Sequence, residues 1–406
     1  MSTTTNEARP ASFHFISATD VLMPRGNRAF GSAGEHGSAQ SMPWPSVFAG
    51  ALRSALLAAD GDALRAFPRR PAGRLGDVIG TPGEPGSFRL RWLSFARRNA
   101  AGRVEPVLPL PADRIVFRTE GRADRLALRA LRPWAWPAGL YGSGELPMQP
   151  LLRGAPAGKP VAGSLSGHDA LRAYLDDADA PAAVAPAPSL LRAELRLGIA
   201  LDADKRTASE GALYTTEALR FARRGEPLHG GDPFDFDAGY LVSVEGAEGV
   251  LPAAGLLRLG GDGRSARYEA VAYQPPAAAI DRIERNRRFR LVLLTPALWA
   301  RGSRPPRLAQ RGAEHWLELD GYTARLACAV VPRAEVVSGW DMAAAPPRPK
   351  RAQRAAPSGS VYWFDRAEGD PRKLADWVAG GVWAENADTM RRAEGFNNAL
   401  LAAWKE

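Results

Sequence analysis

Cysteine is almost absent from this sequence, since Cys328 is the only one among 406 residues. A single cysteine excludes an internal disulfide framework and any multi-cysteine zinc or iron–sulfur site, and it suits a reducing compartment. The amino-terminal "MSTTTNEARP" lacks the basic and then apolar pattern of a signal peptide, and no segment approaches the ~18 apolar residues of a membrane span. We therefore expect a cytoplasmic protein that does not contact a membrane.

Histidine is also scarce, and the five histidines show neither the HExxH pattern nor a His/Cys metal spacing. The glycine-rich "GGDGRS" is not followed by the GK[ST] of a phosphate loop, and "GSAGEHG" does not match GxGxxG. The acidic "DPFDFDAG" lacks the ligand spacing of a calcium loop and is interpreted as a turn between strands. The sequence thus predicts no catalytic residue, no metal and no cofactor.

Positive charge exceeds negative charge, with 53 Lys and Arg against 44 Asp and Glu and a net charge of +9. Nearly all of the positive charge is arginine, whose planar guanidinium matches the geometry of phosphate. Two interpretations stay open at this point. The arginines indicate a polyanionic partner, or they reflect only the base composition of the genome.

A basic, glycine-rich segment lies between the first predicted strand and the first predicted helix. The segment is "RGNRAFGSAGEHG", residues 25–37, and it follows a β-branched and aromatic run that predicts a strand over residues 12–21. After it, the apolar positions of "PSVFAGALRSALLAADG" recur with the period of a helix and predict one over residues 46–59, with Ser46 as its N-cap. The segment is therefore a strand-to-helix connection that carries arginines.

The rest of the chain reads as an α+β protein in two halves. Residues 61–188 are rich in proline and alanine and are interpreted as a large insertion, whereas alternating apolar and polar residues predict a projecting β-hairpin over about residues 192–222. Helices are predicted for "GVLPAAGLLRL", "PRKLADWVAG" and "NADTMRRAEGFNNALLAAW". Each half then approximates a βαββαβ unit, an antiparallel sheet with helices on one face.

Basic or glycine-rich loops recur at the predicted strand ends. Glycine lets the backbone approach a ligand, and arginine supplies charge and paired donors, which is how proteins hold a phosphate backbone without reading bases. Any one such loop is better explained as a solvated surface, but the recurrence of these loops on this scaffold favours RNA. The basic residues of these loops include Arg25, Arg28, Lys205, Arg206, Arg264, Lys350, Arg351 and Arg354.

Five motifs occur in the order expected of a known family. They are "DVLMPRGNRAFGSAGEHGSAQSMPWPSVFAGALRSALL", "LGIALDADKRTASEGALYTTEALRF", "LGGDGR", "LLTPALW" and "SGWD" with "PSGSVYWF". In these motifs the chain resembles the third subunit of the Cmr complex, the type III-B CRISPR effector, within the RAMP superfamily. The resemblance spans nearly the whole chain apart from the insertion.

The resemblance implies two ferredoxin-like (RRM-like) domains in tandem, residues 1–278 and 279–406. It also implies a non-catalytic subunit that holds the 5′ tag of the CRISPR guide RNA and docks the large polymerase-like subunit and the backbone RAMP subunits. Combined with the basic loops, it gives the residues expected to contact RNA: Arg25, Gly26, Arg28, His36, Arg53, Lys205, Arg206, Gly260, Gly261, Arg264, Lys350, Arg351, Arg354, Gly359 and Ser360.

Two other functions stay open. One is a RAMP endoribonuclease that cuts the repeat transcript, in which His36 or His14 would act as the acid or base, because histidine transfers protons near neutral pH. The other is a protein-interaction subunit in which the carboxy-terminal helices and the tryptophan-rich part of the insertion, Trp134 and Trp136, dock neighbouring subunits.

Overall fold

The computed structural model describes residues 11–24, 36–37, 42–119, 122–137, 139, 144–154, 160–161, 163–177, 184–186, 189–202, 204–227, 232–277, 280–384 and 388–405. We call residues 11–277 the first half and residues 280–405 the second half. The helices of the two halves are α1 (Pro45–Ala58), α2 (Gly61–Ala66), α3 (Gly73–Ile79), α4 (His168–Leu175), α5 (Ile280–Asn286), α6 (Pro371–Ala379) and α7 (Thr389–Glu394).

Antiparallel strands make up most of both halves. The strands of the first half are β1 (Ser12–Ala18), β2 (Val21–Leu22), β3 (His36–Gly37), β4 (Arg89–Asn99), β5 (Val104–Pro109), β6 (Arg114–Thr119), β7 (Arg122–Ala135), β8 (Met148–Leu152), β9 (Ser164–Ser166), β10 (Val184–Pro186), β11 (Leu191–Leu201), β12 (Ala208–Phe221), β13 (Phe236–Glu245), β14 (Ala254–Arg258) and β15 (Ser265–Val271). Those of the second half are β16 (Phe289–Leu293), β17 (Leu308–Arg311), β18 (Glu314–Leu319), β19 (Tyr322–Val330), β20 (Glu335–Val337), β21 (Trp340–Asp341), β22 (Arg348–Pro349), β23 (Gln353–Ala355), β24 (Val361–Gly369) and β25 (Ala399–Ala403).

The first half is built on an eight-stranded sheet with the order β10-β9-β5-β4-β13-β1-β15-β14. Its centre is antiparallel, because β13 pairs with both β1 and β4, and β1 pairs with β15 on its other side. Strand β4, residues 89–99, lies within the range that the sequence assigned to an insertion. That range therefore supplies a central strand of the sheet, and β5 and β9 extend the sheet from there.

Helix α1 covers one face of this sheet. Phe48, Leu52 and Leu56 of the helix are buried in one core with Ile16 and Tyr240 of the sheet. The helix predicted over residues 46–59 is confirmed within one residue at each end, but Ser46 is not its N-cap. Trp44 occupies that position without a side-chain cap, and Pro45 begins the helix, where proline's missing N–H costs nothing.

The second half contains a six-stranded sheet with the order β17-β18-β19-β24-β16-β25. Leu374 and Val378 of α6 pack on one face of this sheet in a core that includes Phe289 and Phe364. The opposite faces of the two sheets share a third core, in which Phe15 and Trp92 of the first sheet meet residues such as Trp363 of the second. The two sheets are therefore joined by an apolar interior, each with a helix on its outer face.

Two predicted helices are strands, which corrects the sequence interpretation. "GVLPAAGLLRL" forms β14, whose residues 254–258 pair with β15 at the edge of the first sheet. The carboxy-terminal "NADTMRRAEGFNNALLAAW" contains only the short helix α7, which ends at Gly395 in the left-handed conformation (φ +94°). The residues after it form β25 along β16, where sheet pairing and burial outweigh the helix propensity of leucine and alanine.

The projecting hairpin predicted for about residues 192–222 is confirmed as β11 and β12, which pair from Leu191 and Phe221 outward. The first predicted strand is shorter than expected, because a bend at residues 19–20 divides it into β1 and β2. Strand β2 leaves the first sheet and pairs with β12 instead. Among the described residues, none of the helices is long and apolar enough to span a membrane.

Candidate RNA interface

A groove of about 680 Å³ on the second half is lined by eighteen residues, of which six are arginine. Its walls come from the loop that follows β16, from residues 351–354 around β23, and from the start of α7. Asp388 is the carboxylate of the lining, and its Oδ1 already accepts a hydrogen bond of 3.0 Å from the backbone N–H of Arg391. The arginines that line the groove are Arg301, Arg304, Arg307, Arg351, Arg354 and Arg391.

Some of these guanidinium groups are held by the protein itself. Arg301 Nη1 donates to the carbonyl of Leu308 at 3.3 Å, and Arg304 forms an ion pair with Glu145. Arg391 is buried, and its Nη1 donates to Glu394 at 2.9 Å. These arginines therefore shape the groove and give it positive charge, but most of their donors are engaged.

Arg351 and Arg354 behave differently. Both side chains are exposed at the rim of the groove. Within the described part of the chain, neither guanidinium forms a hydrogen bond or an ion pair. Both were expected from the sequence to contact RNA, whereas Arg301, Arg304 and Arg307 were not. The segment "RGSRPPR", which combines these three arginines with Gly302, was the signal that could have indicated them.

Trp44, the residue just before α1, also lies near the wall of the groove. Trp44 packs against a small core of Leu298, Val337, Ala355, Trp383 and Phe396. Leu298 and Trp383 also line the groove, so the residue that precedes α1 lies beside it. Of the basic segment of residues 25–37, Arg25, Gly26 and Arg28 lie outside the described residues, and of His36 only the backbone is described, in β3 beside Thr215 of β12.

The chain just before the basic segment lies against the glycine turn of residues 260–264. Gly261 donates its N–H to the carbonyl of Met23 at 2.9 Å, and Met23 forms a bridge with Gly260. Gly260 has φ +83°, and a Cβ on it would lie 2.9 Å from the Met23 carbonyl oxygen, so only glycine fits there. Arg264 of the same turn is held by Asp262 at 2.8 Å. The turn thus anchors the segment that carries Arg25.

The tip of the hairpin carries Lys205 and Arg206, both exposed as expected. Asp202 closes the tip, since its Oδ1 accepts the backbone N–H of Lys205 at 3.0 Å. Sequence reasoning missed the outer face of the hairpin, although the spacing of two residues between leucines could have revealed it. That face exposes large apolar side chains: Leu195, Leu197, Ile199, Leu201 and Leu213.

Lys350, Ser360 and Gly359, which were expected to contact RNA, take part in internal contacts. Lys350 Nζ lies 3.0 Å from a carboxylate oxygen of Glu394. Ser360 is completely buried and donates its hydroxyl to the carbonyl of Pro357 at 2.7 Å, so this residue is not accessible to RNA.

Gly359, the third of these residues, joins the two halves. Its N–H donates to the carbonyl of Leu293 at 2.7 Å, and its carbonyl accepts the N–H of Ala112 from the first half at 2.8 Å. Its positive φ of +81° requires glycine, and the backbone of residues 110–112 covers it. The expected phosphate contact at this loop is therefore replaced by a structural contact, because the loop is packed against the first half.

His14, one of the two histidines considered as an acid or base, and Cys328 are both buried. His14 is 2% exposed, and burial lowers its pKa to about 4, so the side chain does not reach RNA. Cys328 lies in the core, and burial raises the pKa of its thiol to about 12. Among the described residues, no three side chains of His, Cys, Asp or Glu are grouped as metal ligands.

Comparison with known proteins gives one family. Residues 14–404 match the description "CRISPR-associated protein (Cas_Cmr3)". No curated protein matches the chain.

Similar chains occur in solved structures of type III-B Cmr-beta. A chain in the structure bound to cognate target RNA and AMPPnP is 14% identical, with 96% of each chain covered and a TM-score of 0.48. A chain in the structure bound to cognate target RNA is also 14% identical over 96% of each chain, with a TM-score of 0.46. A chain of the apo state is 12% identical, covering 64% of this chain and 97% of that one, with a TM-score of 0.29.

Proposed function

The chain belongs to the Cas_Cmr3 family of CRISPR-associated proteins, and we propose that it is a non-catalytic, RNA-binding subunit of a type III-B CRISPR effector complex. In this role it holds the 5′ tag of the guide RNA and docks the large polymerase-like subunit. Base pairing by the guide then reads the target, whereas the protein holds backbone and shape.

The arginine groove is the observation that carries the RNA-binding proposal. Within the described residues, the guanidinium groups of Arg351 and Arg354 at its rim have no hydrogen-bond or ion-pair partner, and Trp44, just before α1, packs in the same small core as the lining residues Leu298 and Trp383. Guanidinium groups bind phosphate through paired N–H donors, and their charge releases counterions from the RNA backbone. A groove with many arginines and one engaged carboxylate suits a polyanion better than a neutral ligand.

The order of strands supports the interpretation of the halves as ferredoxin-like domains of the RAMP type. In each half the four central strands, numbered along the chain, lie in the order second, third, first, fourth: β4-β13-β1-β15 and β19-β24-β16-β25. Each half keeps one of the two helices of a βαββαβ unit, α1 in the first and α6 in the second. The predicted boundary at residues 278–279 falls between these two units.

The outer face of the hairpin supports the docking proposal. Leu195 and Leu197 are 66% and 68% exposed, and exposed apolar groups of this size on adjacent positions of one face are typical of protein contacts. The backbone RAMP subunits and the large subunit are the partners that the family assignment suggests. The hairpin therefore suits a protein neighbour along its length, while its tip carries the basic residues.

The proposal is tested with purified protein and guide RNA that carries or lacks the 5′ tag. We expect tighter binding of the tagged RNA, and equal binding at physiological salt would contradict the tag assignment. The double variant Arg351→Ala/Arg354→Ala should reduce the slope of log K against log salt by about 1.5, the contribution of roughly two phosphates. Arg348→Ala, an exposed neighbour outside the groove, is the matched control. Cleavage of repeat RNA that is lost in His36→Ala would favour the endoribonuclease instead.

A further inference from the structure

Arginine side chains from both halves meet where α7 packs against α1 and β4. The packing is close, because a Cβ on Gly395, just after α7, would lie 2.8 Å from Cβ of Leu90. Arg53 comes from α1, Arg89 and Arg91 from β4, and Arg392 from α7. Burial and then repulsion by Arg392 and Arg91 lower the pKa of Arg89, so these charges lie within electrostatic reach of one another.

The carboxylates near this cluster are engaged elsewhere. Glu245 binds Arg91, with 2.5 Å between its Oε2 and the Nε of the arginine. Glu394 accepts from Lys350 at 3.0 Å and from Arg391 at 2.9 Å. The charges of the remaining three arginines, Arg53, Arg89 and Arg392, therefore have no dedicated carboxylate among the described residues.

These three guanidinium groups donate only to backbone carbonyls in the described structure. Arg53 Nη2 donates to Ile79 at 2.6 Å, Arg89 Nη1 to Gly86 at 2.6 Å, and Arg392 Nη2 to Gly380 at 3.2 Å. The Nε of Arg53 is buried and has no hydrogen-bond partner. Each side chain thus keeps N–H donors for a further acceptor, and a buried donor without a partner destabilises the fold unless a ligand accepts its hydrogen bond.

We propose that Arg53, Arg89 and Arg392 form a phosphate-binding site at the junction of the two halves. A tetrahedral phosphate offers several acceptor oxygens and at least one negative charge, which the guanidinium groups of three neighbouring arginines can share. Because the arginines come from both halves, an occupied site also links α1 to α7. The site takes either a phosphate of an RNA backbone, which rests on the proposed function, or the phosphate of a small molecule.

The first experiment uses pyrophosphate as the probe and needs no RNA. Melting temperatures are compared in pyrophosphate and in sodium chloride at equal ionic strength. A concentration about tenfold above Kd should raise the melting temperature of the wild-type protein by about 2 °C. Arg392→Gln, a change at an exposed side chain, should lose at least half of that shift and melt no lower than wild type in chloride, because like-charge repulsion is relieved. Equal shifts in both proteins would overturn the proposal.

Two controls separate this site from the groove and from general charge effects. Arg372→Gln removes an exposed arginine of α6 outside the cluster and should keep the full shift. The comparison is repeated in the Arg351→Ala/Arg354→Ala background, so that pyrophosphate bound in the groove does not contribute. If Arg392→Gln also reduces the pyrophosphate-induced shift of the melting temperature in this background, the result supports the site. If the shift is unchanged there, the result refutes the site.

Measuring guide RNA binding shows whether the site takes an RNA phosphate or the phosphate of a small molecule. If an RNA phosphate occupies the site, Arg392→Gln should reduce the slope of log K against log salt by about 0.8. An unchanged slope, together with the lost pyrophosphate shift, assigns the site to a small phosphorylated molecule. Failure of the groove variants to affect RNA binding would refute the proposed function while leaving the pyrophosphate result, and therefore this site, intact.

Discussion

Arg290 of the second half and Asp113 of the first form a buried ion pair, with 3.2 Å between Nη1 and Oδ2 and side-chain exposures of 0% and 1%. The other donors of Arg290 are also satisfied, because Nη2 donates to the carbonyl of Tyr174 at 2.7 Å and Nε to that of Ala403 at 2.9 Å. The guanidinium group therefore joins the two halves at the edge of their shared core, although its sequence context placed it within a basic run.

Replacing Arg290 tests this connection. Arg290→Met should lower the free energy of unfolding by about 3 kcal/mol or more, because it leaves buried carboxylates and carbonyls without a donor. The measurement is urea denaturation at neutral pH. Arg311→Met is the matched control, since Arg311 pairs with Glu318 at 2.7 Å on an exposed surface and should cost at most about 1 kcal/mol. Similar losses in the two variants would contradict the structural role of Arg290.

His14 should make the free energy of unfolding fall as the pH is lowered below about 7. Burial lowers its pKa in the folded protein to about 4. In the unfolded chain a histidine titrates near ~6.5, so the unfolded state takes up the proton first as the pH falls. Stability is therefore complete above pH ~6.5 and is progressively lost toward pH ~4, by about 3 kcal/mol in total.

The His14→Leu variant should remove this loss and be at least as stable at pH 7, because both ring nitrogens of His14 are buried without a hydrogen-bond partner. Denaturation in urea at several pH values between 7 and 4 measures the difference. His315, whose pKa is also lowered by burial and by Arg304 and Arg301, is present in both proteins and cancels in the comparison. Parallel pH profiles would show that folding does not lower the pKa of His14.

Gly260 fixes the start of the basic segment. Gly260→Ala should destabilise the protein by about 1–3 kcal/mol, because alanine is strained at φ +83° and its Cβ would press on the Met23 carbonyl. Gly102→Ala is the control, since Gly102 has a similar φ of +80° but open space around it, and it should cost about 1 kcal/mol. Guide RNA binding should weaken only in the Gly260 variant, and unchanged binding would separate this turn from the interface.

Replacing the exposed leucines of the hairpin tests whether they serve docking rather than folding. Leu195→Ser/Leu197→Ser should change the free energy of unfolding by no more than about 0.5 kcal/mol, because both side chains are already exposed in the isolated chain. Co-purification with the large subunit should fall markedly. Leu64→Ser, at an exposed position of α2, is the control and should leave assembly unchanged. Normal assembly of the double variant would show that the hairpin faces solvent or RNA.

Local sequence patterns predicted correctly those elements that are stabilised mainly by contacts between residues close in sequence. The period of "PSVFAGALRSALLAAD" identified α1, and the alternation around Lys205 identified the hairpin, because each is stabilised by contacts close in sequence. Residues 254–258 and 399–403 were assigned wrongly, since their pairing partners, β15 and β16, are set by the sheets. In such a segment, pairing at the edge of a sheet outweighs a sequence pattern that favours a helix.

The sequence by itself determined the chemistry of the candidate interface: basic loops rich in arginine and glycine, on a scaffold of antiparallel sheets. Only the tertiary structure decided which of these residues face outward. Arg351 and Arg290 have the same side chain, but the first is exposed at the groove and the second is buried against Asp113. Likewise Gly260 and Gly359 both have positive φ, and each serves a backbone contact from a distant segment. Such choices depend on partners far along the chain, which no local pattern contains.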